Sequence, residues 1–141
     1  MQPTLLDSSI YVSALRQRDA AAGLERLTAD TILWLSAVVL EELYAGAREH
    51  DRAMVEELAR DFDRAGRILV PNLRDWVDTG KVLRRLADKY DYERTGRVRL
   101  TNDALIATSA ARTGIRVITA NEKDFRKLAE FCTFPWQFVA L

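Results

Sequence analysis

The sequence contains one cysteine, one histidine and no long hydrophobic run, and each shortage argues against a class of protein. Cys132 cannot form an intramolecular disulfide or a cysteine-rich zinc site, which indicates a reducing compartment. With His50 alone and no Gly-x-Ser-x-Gly motif, a Ser-His-Asp hydrolase is excluded. The six glycines form no phosphate-binding loop, which argues against P-loop and dinucleotide-binding proteins.

The longest apolar stretch, at 32–40, is interrupted by Ser36 and is shorter than the roughly 18 residues that span a bilayer. No basic segment precedes Asp7, so we expect no signal peptide, no membrane association and a cytoplasmic protein. Charge of neither sign dominates, because 21 Lys and Arg face 21 Asp and Glu. A polyanionic partner would therefore need a local basic patch.

Short apolar segments alternate with helical patterns along all 141 residues, which fit one domain, 1–141. This alternation predicts an α/β fold, a three-layer α/β/α sandwich with a short-stranded, mainly parallel central sheet. The loss of periodicity at 91–99 predicts a loop, and the aromatic segment 131–141 is β-prone. Strands are predicted at 4–6, 32–35, 68–70 and 115–119, and helices at 8–18, 20–28, 37–49, 51–65, 73–90, 101–113 and 122–130.

Acidic side chains fall where the predicted strands and helices meet one edge of the sheet. Asp7 follows the first strand, and the 120–124 turn, with Asn121 and Asp124, follows the strand at 115–119. If a helix begins at Thr101 or Asn102, Asp103 lies in its first turn on the buried stripe. Because binding crevices lie beyond the carboxyl ends of parallel strands, we expect these groups to lie together.

The pair Glu41 and Glu42 is less clear, since either could point inward on the helix at 37–49. The small apolar neighbours of Glu42 favour it. Each acid also has an ordinary structural role available: Asp7 as a helix cap, Asp103 as a partner of the helix dipole, and the glutamates as a solvated face. Only their convergence favours function.

Three or four carboxylates in a partly dry pocket repel each other and require a counter-charge. Hard oxygen ligands of this kind suit Mg²⁺ or Mn²⁺, which favour a substrate phosphate as a further ligand. The matching chemistry is metal-assisted hydrolysis of a phosphodiester, with water as the nucleophile.

Four segments combine these acids with small or apolar neighbours. They read Leu-Leu-Asp-Ser-Ser-Ile at 5–10, Glu-Leu-Tyr-Ala-Gly at 42–46, Asn-Asp-Ala-Leu-Ile-Ala at 102–107 and Val-Ile-Thr-Ala-Asn-Glu-Lys-Asp-Phe at 117–125. In this order the chain resembles PIN-domain ribonucleases, and among them the VapC-type toxins of toxin-antitoxin modules. The resemblance implies a PIN-like nuclease domain that cleaves RNA with Mg²⁺ or Mn²⁺. It also implies a small antitoxin partner and a homodimer.

The resemblance assigns roles residue by residue. Asp7, Glu42 and Asp103 match the three acidic metal ligands, whereas Asn121 stands where many members carry a fourth acid. Asp124, one turn further on, is the alternative source of that charge. We therefore expect one tightly bound ion with a weaker second one.

Other polar residues flank this set of acids. The hydroxyls of Ser9 and Thr119 are expected to hydrogen-bond the carboxylates or a water. The predicted 91–99 loop and the 120–124 turn bring cations to the edge of the proposed acidic pocket. We expect these cations to guide RNA. Tyr90 and Tyr92 could stack on bases at the same edge. These cations are Arg94, Arg97, Arg99 and Lys123.

Two rival interpretations remain. A receiver-like signalling domain would need an acid after the third strand, where the chain has Pro71 and Asn72. A catalytically weak or inactive PIN-fold binding module is the second rival, and Asn121 is its best support. Metal-dependent RNA cleavage would separate the nuclease from both.

Overall fold

The structure, a computed structural model, describes residues 1–16, 20–91 and 94–141, and it omits the side chains at 20, 21, 94, 95 and 98. Within these residues five strands alternate with seven α-helices and one 3₁₀ helix. They are β1 (Gln2–Leu6), α1 (Ser8–Arg16), α2 (Ala20–Thr28), β2 (Thr31–Ser36), α3 (Ala37–Gly46), the 3₁₀ helix (Glu49–Asp51), α4 (Arg52–Arg64), β3 (Ile68–Leu69), α5 (Leu73–Tyr90), α6 (Arg94–Thr113), β4 (Arg116–Thr119), α7 (Glu122–Leu128) and β5 (Trp136–Phe138).

The strands form one parallel sheet in the order β3-β2-β1-β4-β5. Successive residues of the central strand β1 face opposite sides, as the pleat requires. Leu5 lies in the larger core, with residues of α3, α5 and α6, whereas Leu6 packs with Ile10 of α1 and Leu24 of α2. Helices therefore cover both faces, and the predicted three-layer α/β/α sandwich is confirmed.

Parallel strands place their carboxyl ends at one edge, and polar residues occupy that edge. Asp7 follows β1 directly. Ser36 ends β2 and caps α3 by accepting the Val38 N–H, at 3.2 Å. Asn121 follows β4 and caps α7. The predicted grouping of strand-end polar residues is therefore present.

The prediction of a loop at 91–99 is wrong from Arg94 onward, because α6 begins there. The predicted start at Thr101 or Asn102 fails with it, and Asp103 lies well inside α6 rather than in its first turn. Leu100 is fully buried, so contacts with the core hold α6 in place already before Thr101, where the helix was predicted to begin. The Thr101 hydroxyl donates to the carbonyl of Arg97, at 3.2 Å, as a residue inside a helix does. Tyr92 lies outside the described residues.

Helices α5 and α6 form an antiparallel pair held by buried polar contacts. The carboxylate of Asp75 is buried and accepts the Arg112 Nε at 3.0 Å from each oxygen. One turn along, the hydroxyls of Thr79 and Thr108 are 2.9 Å apart. These contacts fix the position of α6, and with it the direction in which Asp103 points.

Smaller differences concern element ends. The predicted helix at 37–49 ends at Gly46, so that His50 lies in the 3₁₀ helix. The third strand has two residues rather than three, and the aromatic tail contributes β5. No described helix is both long and apolar enough to cross a membrane.

Candidate active site

Asp7 is the most firmly held acid at the carboxyl edge of the sheet. Its side chain is buried, with one oxygen accepting the Ser8 N–H at 2.8 Å. The other oxygen accepts the hydroxyls of Ser9, at 3.0 Å, and Thr119, at 2.8 Å. Three donors therefore fix this carboxylate in one orientation.

The two hydroxyls also bind the chain that follows β4. Thr119 accepts the backbone N–H of Asn121 at 2.9 Å, and Ser9 accepts that of Ala120 at 3.1 Å. Each hydroxyl thus donates to Asp7 and accepts from the neighbouring turn. Ser9 and Thr119 join the ends of β1 and β4 around the acid.

Asp103 faces the same cavity from α6, and its pKa is shifted furthest among the described side chains of the site. Burial raises the pKa of its carboxyl to about 8, with further contributions from repulsion by Asp7, Glu42 and Asp124. Arg99 opposes this shift. Such a carboxyl retains its proton near neutral pH unless a cation enters the cavity.

Glu42 reaches the cavity from α3. Burial raises the pKa of its carboxyl, and repulsion by Asp7 adds to the effect. Its Oε1 is buried without a hydrogen-bond partner among the described residues. Glu41, in contrast, is exposed and accepts the Asn102 side-chain amide at 3.1 Å. The glutamate that faces the cavity is therefore Glu42, as the sequence favoured.

Asp124 differs from the other acids because it already has a counter-charge. Its buried carboxylate accepts Arg99 Nη1 at 2.9 Å and the Asn121 amide at 3.0 Å. Burial raises the pKa of Asp124, but the hydrogen bonds from Arg99 and Asn121 outweigh it and hold the pKa below its usual range. Arg99, predicted to guide RNA, thus neutralises an acid of the site.

These side chains line one open cavity of about 940 Å³. Its lining includes residues that the sequence argument missed, among them Arg16 and Asn102. Arg16 could have been found, because Ser9, Ser13 and Arg16 lie on one stripe of α1. The lining residues are Asp7, Ser8, Ser9, Val12, Ser13, Arg16, Glu42, Arg99, Thr101, Asn102, Asp103, Asn121 and Asp124.

Other predicted cations are not part of this lining. Lys123 is exposed on α7, and Arg97 is half-buried with a side-chain Nε that has no hydrogen-bond partner in the described chain. Arg94 begins α6, and its side chain is outside the described set. Tyr90, at the end of α5, donates its hydroxyl to Glu130, which lies two residues beyond the end of α7, at 2.6 Å.

The donor atoms suit a hard divalent cation. In the parts of the chain that are described, no three Asp, Glu, His or Cys side chains form a ready ligand group. Asp7, Glu42 and Asp103 instead line one cavity, in which Asp7 raises the pKa of Glu42, and both Asp7 and Glu42 raise the pKa of Asp103. Carboxylate oxygens, including the unpartnered Oε1 of Glu42, are the ligands that Mg²⁺ and Mn²⁺ prefer. The residues therefore fit such an ion, which would relieve this repulsion.

The raised pKa of Asp103 predicts how stability depends on pH in the metal-free protein. The unfolded chain loses this proton near the ordinary carboxyl pKa of 3.8, whereas the folded protein retains it up to about 8. The free energy of unfolding should therefore fall as pH rises through this window. Asp103→Asn should flatten the fall and stabilise the protein by about 1–3 kcal/mol at pH 8. Urea unfolding in a chelator at several pH values measures both effects.

A matched control for this measurement is Asp88→Asn, on the exposed face of α5. Asp88 pairs only with the exposed Arg84, at 3.1 Å, among the described residues. Its replacement should change stability by less than about 0.5 kcal/mol at any of these pH values. An Asp103→Asn profile as steep as the wild-type profile would contradict the assigned repulsion.

Comparison with known proteins gives the family. The PIN domain matches residues 4–131. No curated protein matches the chain in sequence. Similar solved structures include DNA-bound VapBC from Salmonella typhimurium, with 19% identity, a TM-score of 0.70 and 98% of each chain covered. VapBC2 from Rickettsia felis has 20% identity and a TM-score of 0.63, covering 96% of this chain and 98% of the other. VapBC-5 from Mycobacterium tuberculosis has 23% identity, a TM-score of 0.61 and 98% coverage of both. The predicted resemblance is confirmed, and the chain belongs to the PIN domain family.

Proposed function

We propose that this protein is a metal-dependent endoribonuclease, the toxin of a toxin-antitoxin pair. The observation that carries the proposal is the cavity in which Asp7, Glu42 and Asp103 repel one another. Keeping several charged carboxylates together in one cavity is energetically unfavourable unless the working protein binds a cation there. Membership of the PIN domain family supports nuclease chemistry and removes the receiver-domain alternative.

Asp7, Glu42 and Asp103 would hold Mg²⁺ or Mn²⁺, which when bound supplies an activated water and stabilises negative charge on the phosphate. Asp7 is held in place by Ser9 and Thr119 and has little freedom to turn away. Asp103 must lose its proton to become a ligand, and Arg99 assists by favouring the charged form. These residues prepare the cavity for a substrate phosphate.

The cleavage assay separates the nuclease from an inactive binding module. Asp7→Asn and Asp103→Asn should each lower metal-dependent cleavage of single-stranded RNA by at least about 100-fold, because each removes a charged ligand. Asp88→Asn, an exposed acid on α5, should cleave at the wild-type rate. If the wild-type protein and all three variants cleaved RNA equally well without metal, this cavity would not be the site of catalysis.

The number of bound ions should depend on the surroundings of Asn121, which stands at the fourth acidic position. The Asn121 amide donates to Asp124, which Arg99 also neutralises, so little negative charge remains for a second ion. We expect calorimetry with Mn²⁺ to give one tight site per chain. Asn121→Asp should strengthen binding of a second ion, since it adds a carboxylate beside Asp124. Two equal tight sites in the wild-type protein would contradict this assignment.

Two apolar surfaces fit the proposed protein partners. The first is a groove of about 270 Å³ beside α1 and α4, which we assign to a small antitoxin because the similar structure of VapBC-5 belongs to a family of toxin-antitoxin systems. Its lining residues are Tyr11, Ala14, Leu15, Leu24, Leu43, Met54, Val55 and Leu58. The second surface, at the start of α5, we assign to a homodimer. It exposes Val70, Leu73, Trp76 and Val77.

Two variants test these surfaces, each serving as the control for the other. Trp76→Glu should convert a dimer into a monomer but still bind the antitoxin, because it places a charge in the second surface and leaves the first surface unchanged. Met54→Glu should lose the antitoxin but stay dimeric. Light scattering, with and without a small protein encoded beside this chain, measures both. A monomeric wild-type protein would contradict the homodimer.

A further inference from the structure

A second concavity opens beside the acidic cavity. It has a volume of about 400 Å³ and shares Val12, Arg16 and Glu42 with the larger cavity, so the two are continuous. We call it the Arg16–Arg48 concavity. Its lining includes Leu15, Arg16, Glu42, Leu43, Arg48, His50 and Asp51.

Two arginines, Arg16 and Arg48, and two acids, Glu42 and Asp51, line the concavity. Arg16 and Arg48 are exposed, and neither forms an ion pair with any residue that the structure describes. His50 is also exposed, with its Nε2 3.4 Å from Asp51, whose side chain is only 19% exposed. Glu42 belongs to the acidic cavity as well. Two guanidinium groups are therefore available to an anion.

Arg16 lies at the junction of the two cavities. It ends α1, on the stripe that also carries Ser9 and Ser13 into the acidic cavity. Arg99, the other arginine in that lining, is bonded to Asp124. Arg16 is therefore the arginine of this lining that has no carboxylate partner in the described chain, and it is available to a phosphate beside the acids.

We propose that the Arg16–Arg48 concavity binds the backbone of single-stranded RNA next to the phosphate that is cleaved. This rests on the proposed nuclease function and assigns the side of the cavity along which the strand runs. Guanidinium groups bind phosphate oxygens bidentately, and the apolar floor, with Leu15 and Leu43, suits a base or ribose. An RNA strand fits better than an acidic protein segment, because it supplies phosphates for the two guanidinium groups and also a base or ribose for the apolar floor.

The test compares two double variants in the cleavage-deficient Asp103→Asn protein. Removing both Arg16 and Arg48, as Arg16→Ala with Arg48→Ala, should weaken binding of a labelled single-stranded RNA about 10-fold or more at low salt. The slope of log affinity against log salt should fall by about 1.4, since each lost phosphate contact contributes about 0.7. The matched control replaces Arg60 and Arg64, exposed on α4, with alanine and should leave affinity and slope unchanged.

The outcomes distinguish this proposal from the function on which it rests. If RNA binds equally well to both double variants, the concavity is not a backbone site, while the nuclease assignment stands. If the active protein neither binds nor cleaves RNA, the proposed function fails first. If the Arg16 and Arg48 variant binds RNA normally but loses an acidic protein partner, the surface serves protein binding and the RNA proposal is overturned.

Discussion

Electrostatic repulsion among carboxylates is the constraint on which the site depends. Asp7, Glu42 and Asp103 come from three different elements, and the fold must hold them in one cavity against their mutual repulsion. It does so by rigid means: donors from α1 and β4 hold Asp7, and the buried contacts between α5 and α6 hold the helix that carries Asp103. The free energy of packing thus maintains an arrangement that would be unfavourable alone.

The sequence allowed the architecture and the main acids to be predicted, because both depend on local patterns. Short apolar strands alternating with helices specify a covered parallel sheet, and strand ends specify where Asp7 and Asn121 lie. The start of α6 could not be predicted in this way. The segment before Leu100 is rich in arginine and lacks apolar periodicity, and it becomes helical where Leu100 enters a core built from distant residues.

Pairing between charges was equally hidden. Arg99 and Asp124 are 25 residues apart and meet only because α6 and α7 pack together. From the sequence, Arg99 was therefore expected to bind RNA and Asp124 to supply the charge of the fourth acid. In the structure the two side chains form an ion pair, in which each offsets the charge of the other. Arg16 was missed although it shares a stripe of α1 with Ser9 and Ser13, because the sequence argument followed the acids and did not extend that stripe from Ser9.

The hydroxyl of Thr119 donates to Asp7 across 112 positions of the chain. The full set of donors to the first acid of the cavity is therefore complete only after β4 has joined β1. A nascent chain that has emerged through α6 carries Asp7, Glu42 and Asp103 but lacks the strand that orders the first of them. The complete acidic cavity consequently forms only once β4, the cap residue Asn121 and the first turn of α7, which carries Asp124, have also emerged from the ribosome.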